Sequence, residues 1–114
     1  MLIEVHDPQL LKGVLPILVL GLLQTAESYG YELVTRLRQS GLAGISTGTV
    51  YPVLSRLERD GSLAARLQPS SSGPARKYYR PTEAGRQRYH SSMTAWMQLS
   101  LVVTTVDTER EETR

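Results

Sequence analysis

Seven residues carry side chains suited to holding a polyanion: Thr47, Thr49, Tyr51, Ser55 and Arg56 in one run, and Arg76 with Lys77 in another. Hydroxyl, guanidinium and ammonium groups donate to phosphate oxygens, and the same groups reach base edges in a nucleic-acid groove. No competing chemistry is offered elsewhere in the 114 residues. The absence of cysteine removes disulfides, thiolate metal sites and cysteine nucleophiles. His6 and His90 stand outside any nucleophile arrangement or metal-ligand spacing and read as surface residues. There is no phosphate-binding glycine loop and no carboxylate pair in a catalytic context, so the chain reads as a protein without enzymatic activity, cofactor or metal.

The formal net charge of +2 is spread unevenly. Residues 1–60 hold five Lys/Arg against six Asp/Glu, residues 61–90 hold six against one, and residues 91–114 hold two against four. A local excess of this kind favours a polyanion and makes its association salt-dependent. The plainer alternative is a solvated face.

Positioning the seven residues requires a helix followed by a hairpin, and residues 46–80 have that pattern. The helix starts near Ser46 or Thr49 and stops at Gly61, a residue suited to a left-handed C-terminal turn. With Ser46 as the cap, Pro52 lies inside and bends the helix; with Thr49, Pro52 falls in the first turn at little cost. At about 100° per residue, Val50, Val53, Leu54 and Leu57 cluster on one side. Gly48, Tyr51, Pro52, Ser55 and Arg59 fall on the other, with Thr47, Thr49 and Arg56 flanking. Residues 62–67 then read as a strand, 68–74 as a loop of Pro, Ser and Gly, and 75–80 as a second strand. Along that strand Arg76, Tyr78 and Arg80 share one face, and Lys77 and Tyr79 the other. The competing view is an edge strand that Lys and Arg protect from pairing.

The remaining segments support this unit. Asp7 and Pro8 signal a first helix, expected to bend near Pro16, and its apolar run is expected to be too short to span a bilayer. A polar turn over residues 25–28 ends in Ser28 as N-cap for a second helix over residues 29–39. That helix has an apolar stripe of Tyr31, Val34, Leu37 and Leu33, an exposed Glu32 and Arg36 pair, and a Gly30 that suggests another backbone close by. Thr82 caps a long last helix, on which Tyr89, Met93, Trp96, Met97, Val103 and Val106 recur at helical spacing. That stripe extends beyond the core of a small domain and needs a partner.

Four ordered motifs resemble the PadR family of transcriptional regulators, particularly its short-tailed members: LLKG from Leu10, YGYEL from Tyr29, TGTVYPVLSRLERDG from Thr47, and SGPARKYYRPTEAGR from Ser72. The resemblance covers about residues 8–100, and Pro16 departs from the family's uninterrupted first helix. It implies a mainly α (α+β) winged helix-turn-helix with a two-stranded wing and a long C-terminal dimerisation helix. In that scheme residues 1–81 form the DNA-binding region, 82–106 the dimerisation helix and 107–114 a flexible charged tail. It also implies a cytoplasmic bacterial homodimer that binds double-stranded DNA at a palindromic operator, usually as a repressor. Thr47, Thr49, Tyr51, Ser55 and Arg56 become candidates on the recognition helix, and Arg76 and Lys77 on the wing. Leu11, Leu15, Tyr89, Met93, Trp96, Met97 and Val103 become candidates for the dimer interface, with Met93 and Trp96 contacting a possible small hydrophobic effector. The alternative is a winged-helix module for protein or RNA contact.

Overall fold

Asp7 accepts hydrogen bonds from the N–H groups of Gln9 and Leu10 at 3.0 and 3.3 Å, and Pro8 takes the first helical position, so helix α1 (Pro8–Thr25) begins where those signals place it. The computed structural model describes residues 7–113. His6 and the terminal Arg114 of the expected tail lie outside the described residues. After α1 come strand β1 (Ser28–Tyr29), helices α2 (Gly30–Gln39) and α3 (Thr47–Arg59), strands β2 (Leu63–Ser70) and β3 (Gly73–Pro81), and helix α4 (Glu83–Glu112).

Three helices supply most of the core. Leu15, Val19, Leu20 and Leu23 of α1 meet Leu33, Val34 and Leu37 of α2 and Val50, Leu54 and Leu57 of α3, with Ile45 and Leu63 closing the ends. Each such side chain contributes about 1.5–3 kcal/mol on leaving water. That burial explains why α1 runs unbroken through Pro16 instead of restarting there. The hydrogen bond that proline forfeits would have gone to the carbonyl of Lys12, an exposed residue whose oxygen water can satisfy. By length and composition α1 could also cross a membrane, contrary to the expectation that it is too short. Here its buried leucines and valine pack into the domain core.

The second helix differs from its expected form at both ends. Ser28 is not its N-cap; it pairs with Tyr79 in β1, while Tyr29, which caps α2 without a side-chain bond, pairs with Tyr78. Tyr31 is exposed, so Leu33, Val34 and Leu37 alone form the buried stripe. Arg36 forms no ion pair with Glu32. Its guanidinium donates to the carbonyls of Leu22 and Ala26 at 2.6 and 2.8 Å, and to the Thr25 and Ser28 hydroxyls at 2.8 Å each. These bonds satisfy carbonyls that the end of α1 leaves without helical partners.

The hairpin is longer, and its sheet wider, than expected. β2 and β3 pair from Leu63 opposite Pro81 to Gln68 opposite Arg76, then irregularly to Ser70 opposite Gly73. The residues read as loop therefore belong mostly to strands. Because β1 adds to the far side of β3, the sheet has three strands in the order β1-β3-β2, where two were expected. Thr82 fixes the start of α4 by accepting from the Gly85 N–H at 3.0 Å and donating to the Gly61 carbonyl at 2.6 Å. α4 then runs for 30 residues, about 45 Å, and includes the segment through Glu112 that had been expected to fray.

Candidate nucleic-acid interface

Ser46 settles where the exposed helix begins. Its hydroxyl accepts from the Thr49 N–H at 3.3 Å and lies 3.1 Å from the Thr49 hydroxyl, and α3 continues through Pro52. The other end closes at Gly61, whose φ of +84° lets Gly61 and Ser62 donate to the Glu58 and Leu57 carbonyls at 3.2 and 2.9 Å. Between these caps Val50, Leu54 and Leu57 are buried, while Gly48, Tyr51, Pro52, Ser55 and Arg59 are exposed.

The seven candidate residues divide between two sides of α3. Tyr51, Ser55, Arg76 and Lys77 share a cavity of about 290 Å³ between α3 and the sheet, together with Tyr29, Gly30 and Tyr79. Thr49 and Arg56 instead border a groove of about 440 Å³ against α1, lined by Leu11, Pro16 and Val53 among others. Thr47 borders neither. Gly30 does mark a close approach, but by a side chain and not a backbone: a Cβ there would lie 2.5 Å from the Tyr51 ring.

Much of the positive charge in residues 61–90 is already paired. Arg66 pairs with Glu27, Lys77 with Glu58 at 2.8 Å, Arg86 with Glu83 at 3.2 Å and Arg88 with Asp60 at 2.6 Å. The hydrogen bond from Arg66, opposed by slight desolvation, holds the Glu27 carboxyl below its ordinary range, and the bond to Glu58 likewise raises the Lys77 ammonium. Burial raises the Tyr79 phenol. Among the described residues Arg56, Arg59, Arg76 and Arg80 have no ion-pair partner, so these four are the cations available to an incoming anion. Arg76 lies 4.6 Å from the Tyr29 ring centroid, which meets Tyr78 edge-on at 5.4 Å. Glu27 and Glu58 were missed as partners because Glu27 is 39 residues from Arg66, and no local spacing connects either acid to its cation.

The interface candidates on α4 also divide. Tyr89 and Met93 are half-buried and line a cavity of about 490 Å³ with Ile17, Leu18 and Leu22, a cavity that Trp96 does not border. Trp96, Met97 and Val103 are exposed, as are Leu99, Leu101, Val102 and Val106. Leu11 is half-buried against the core, whereas Leu15, 1% exposed, belongs to the core itself and has no surface left for a partner.

Residues 19–91 match the transcriptional regulator PadR-like family, from α1 into α4. The structure resembles that of a PadR-like transcriptional regulator from Bacillus cereus, with 37% identity and a TM-score of 0.75 over 86% of this chain and 95% of that one. It also resembles Bacillus subtilis PadR in complex with operator DNA, with 27% identity and a TM-score of 0.63 over 70% of this chain and 45% of that one. A transcriptional regulator of Mycobacterium tuberculosis is 45% identical over 60 residues, 53% of this chain and 54% of the relative. The exposed face of α3 beside a basic three-stranded sheet, and a family match running through both, lead to one conclusion: the chain belongs to the PadR-like family of transcriptional regulators.

Proposed function

We propose that this cytoplasmic regulator binds a palindromic operator in double-stranded DNA as a homodimer and represses transcription. The observation that carries the reading is the exposed face of α3 facing Arg76 across the cavity that holds Tyr51 and Ser55. Side chains of α3 then read base edges, while Arg76, Arg80 and Arg59 hold the phosphate backbone. The similarity to Bacillus subtilis PadR, whose structure contains operator DNA, supports this placement.

The exposed apolar residues of α4 support a dimer. Trp96, Leu99, Val103 and Val106 form a stripe that a lone chain leaves in water. A two-fold partner would cover it and set two α3 helices about 34 Å apart, one turn of DNA. Trp96 and Met93 would then contact a small hydrophobic effector at the interface, where flat rings gain apolar area with few directional demands.

The test is fluorescence anisotropy on duplex DNA across a salt titration, with single-stranded RNA as competitor. An Arg56→Ala and Arg76→Ala double variant is expected to bind more weakly, with a salt slope shallower by roughly 1.8. Unchanged binding, or a preference for the RNA, would reject the operator reading. Repression is tested by a reporter placed behind a selected operator, and the effector site by the response of Trp96 fluorescence to planar hydrophobic compounds.

A further inference from the structure

Glu58 is the only acidic residue of α3, on the helix whose exposed face is read above as meeting DNA. Its carboxylate takes Lys77 Nζ at 2.8 Å, and the same ammonium lies 5.6 Å from the Tyr79 ring centroid. The neighbouring Arg56 and Arg59 have no such partner among the described residues. One carboxylate therefore silences one cation of β3, the strand that also carries Arg76.

We infer that Glu58 tempers affinity for DNA: it withholds Lys77 from phosphate, so every duplex contact by that side chain must first exchange an internal ion pair for an intermolecular one. The inference rests on the reading that α3 and β3 face DNA. Both partners keep solvent access, with 47% and 34% of their side chains exposed, so the pair is exchangeable and not locked. A lysine on phosphate carries no sequence information, so the exchange lowers binding to all sequences by a similar factor. Discrimination is left to α3, and capture by bulk DNA is reduced.

The experiment compares wild type with Glu58→Gln on two probes, a random-sequence duplex about 30 bp long and the tightest duplex selected from a random pool, from about 50 to 200 mM salt. Glu58→Gln is expected to tighten both complexes roughly two- to tenfold at the lowest salt and to steepen the salt slope by about 0.9. In a Lys77→Gln background the same change should leave the slope unaltered. Unchanged or weaker binding, tightening on one duplex only, or an equal slope change without Lys77 would overturn the inference. Should Glu58→Gln not fold, Glu58→Asp, one methylene short of Lys77, carries the test with the same sign and smaller amplitude. Loss of no affinity in the Arg56→Ala and Arg76→Ala double variant rejects the DNA face itself, whatever Glu58 does.

Discussion

The Tyr51 ring lies against the Cα of Gly30, so close that a methyl group there would stand 2.5 Å from the ring's Cε1 and 3.1 Å from its hydroxyl. The first residue of α2 thereby sets where an exposed aromatic of α3 sits. Gly30→Ala gains about 1 kcal/mol of helix propensity but displaces the ring, which can swing because it is the far end of a side chain. Thermal stability is expected to change little while duplex affinity falls, and Tyr51→Ala should reproduce the loss. Equal affinities for wild type and Gly30→Ala in anisotropy titrations would contradict the placement.

Gly85 presents the opposite case. A Cβ there would lie 2.0 Å from the Ser62 carbonyl oxygen, which is backbone and cannot swing aside. Gly85→Ala should push α4 off the start of β2 and cost more than about 2 kcal/mol. A lowered denaturation midpoint in urea, with unchanged slope, is the expected result.

Arg36→Ala should cost about 2–4 kcal/mol, because buried and half-buried acceptors at the end of α1 lose a charged donor. Arg36→Lys should recover little, since an ammonium lacks the planar fork that reaches Leu22, Thr25, Ala26 and Ser28 together. Full rescue by lysine in chemical denaturation would contradict this account.

Asp60 gives the fold a pH dependence with a defined sign. Desolvation pushes its carboxyl up, but hydrogen bonds from Ser62 and Arg88 and the Arg88 charge outweigh it and hold the folded-state value below the ordinary one. The stabilisation is therefore complete above the unfolded carboxyl's range and is lost as pH falls through the depressed folded value. Both partners are more than one third exposed, so the effect is modest, about 0.5–1 kcal/mol. Asp60→Asn should be less stable than wild type at neutral pH, and the difference should close in acid.

Leu99→Glu and Val103→Glu should each leave the domain folded, since both side chains are exposed in the single chain. Sedimentation at micromolar concentration is expected to show a shift from dimer toward monomer and an unchanged circular dichroism spectrum. A persistent dimer would remove α4 as the pairing element.

The face of α3 was legible because one periodicity decides it: the positions of Val50, Leu54 and Leu57 are buried, and those of Tyr51, Ser55 and Arg59 are not. β1 was illegible because two residues carry no alternation, and only the Tyr78–Tyr79 edge of β3 makes them a strand. Arg36 misled because its spacing from Glu32 suits an exposed pair. Fixed carbonyls at the end of α1 offer more than one flexible carboxylate, and sequence spacing does not show them. The charge excess of residues 61–90 was legible as a total, but its availability was not, since Glu27 and Glu58 reach it only through the tertiary fold.

α4 is held near its base, where Tyr89 crowds Gly21 and Arg88 bonds Asp60, and beyond Met93 its large apolar side chains are exposed. Such a rod is a lever with its fulcrum at the edge of the core. A tilt of about 10° at the fulcrum carries the far tip, roughly 30 Å away, through about 5 Å, comparable to the rise between adjacent base pairs. Small crowding at Gly21 is thereby converted into a displacement on the scale at which a groove is registered.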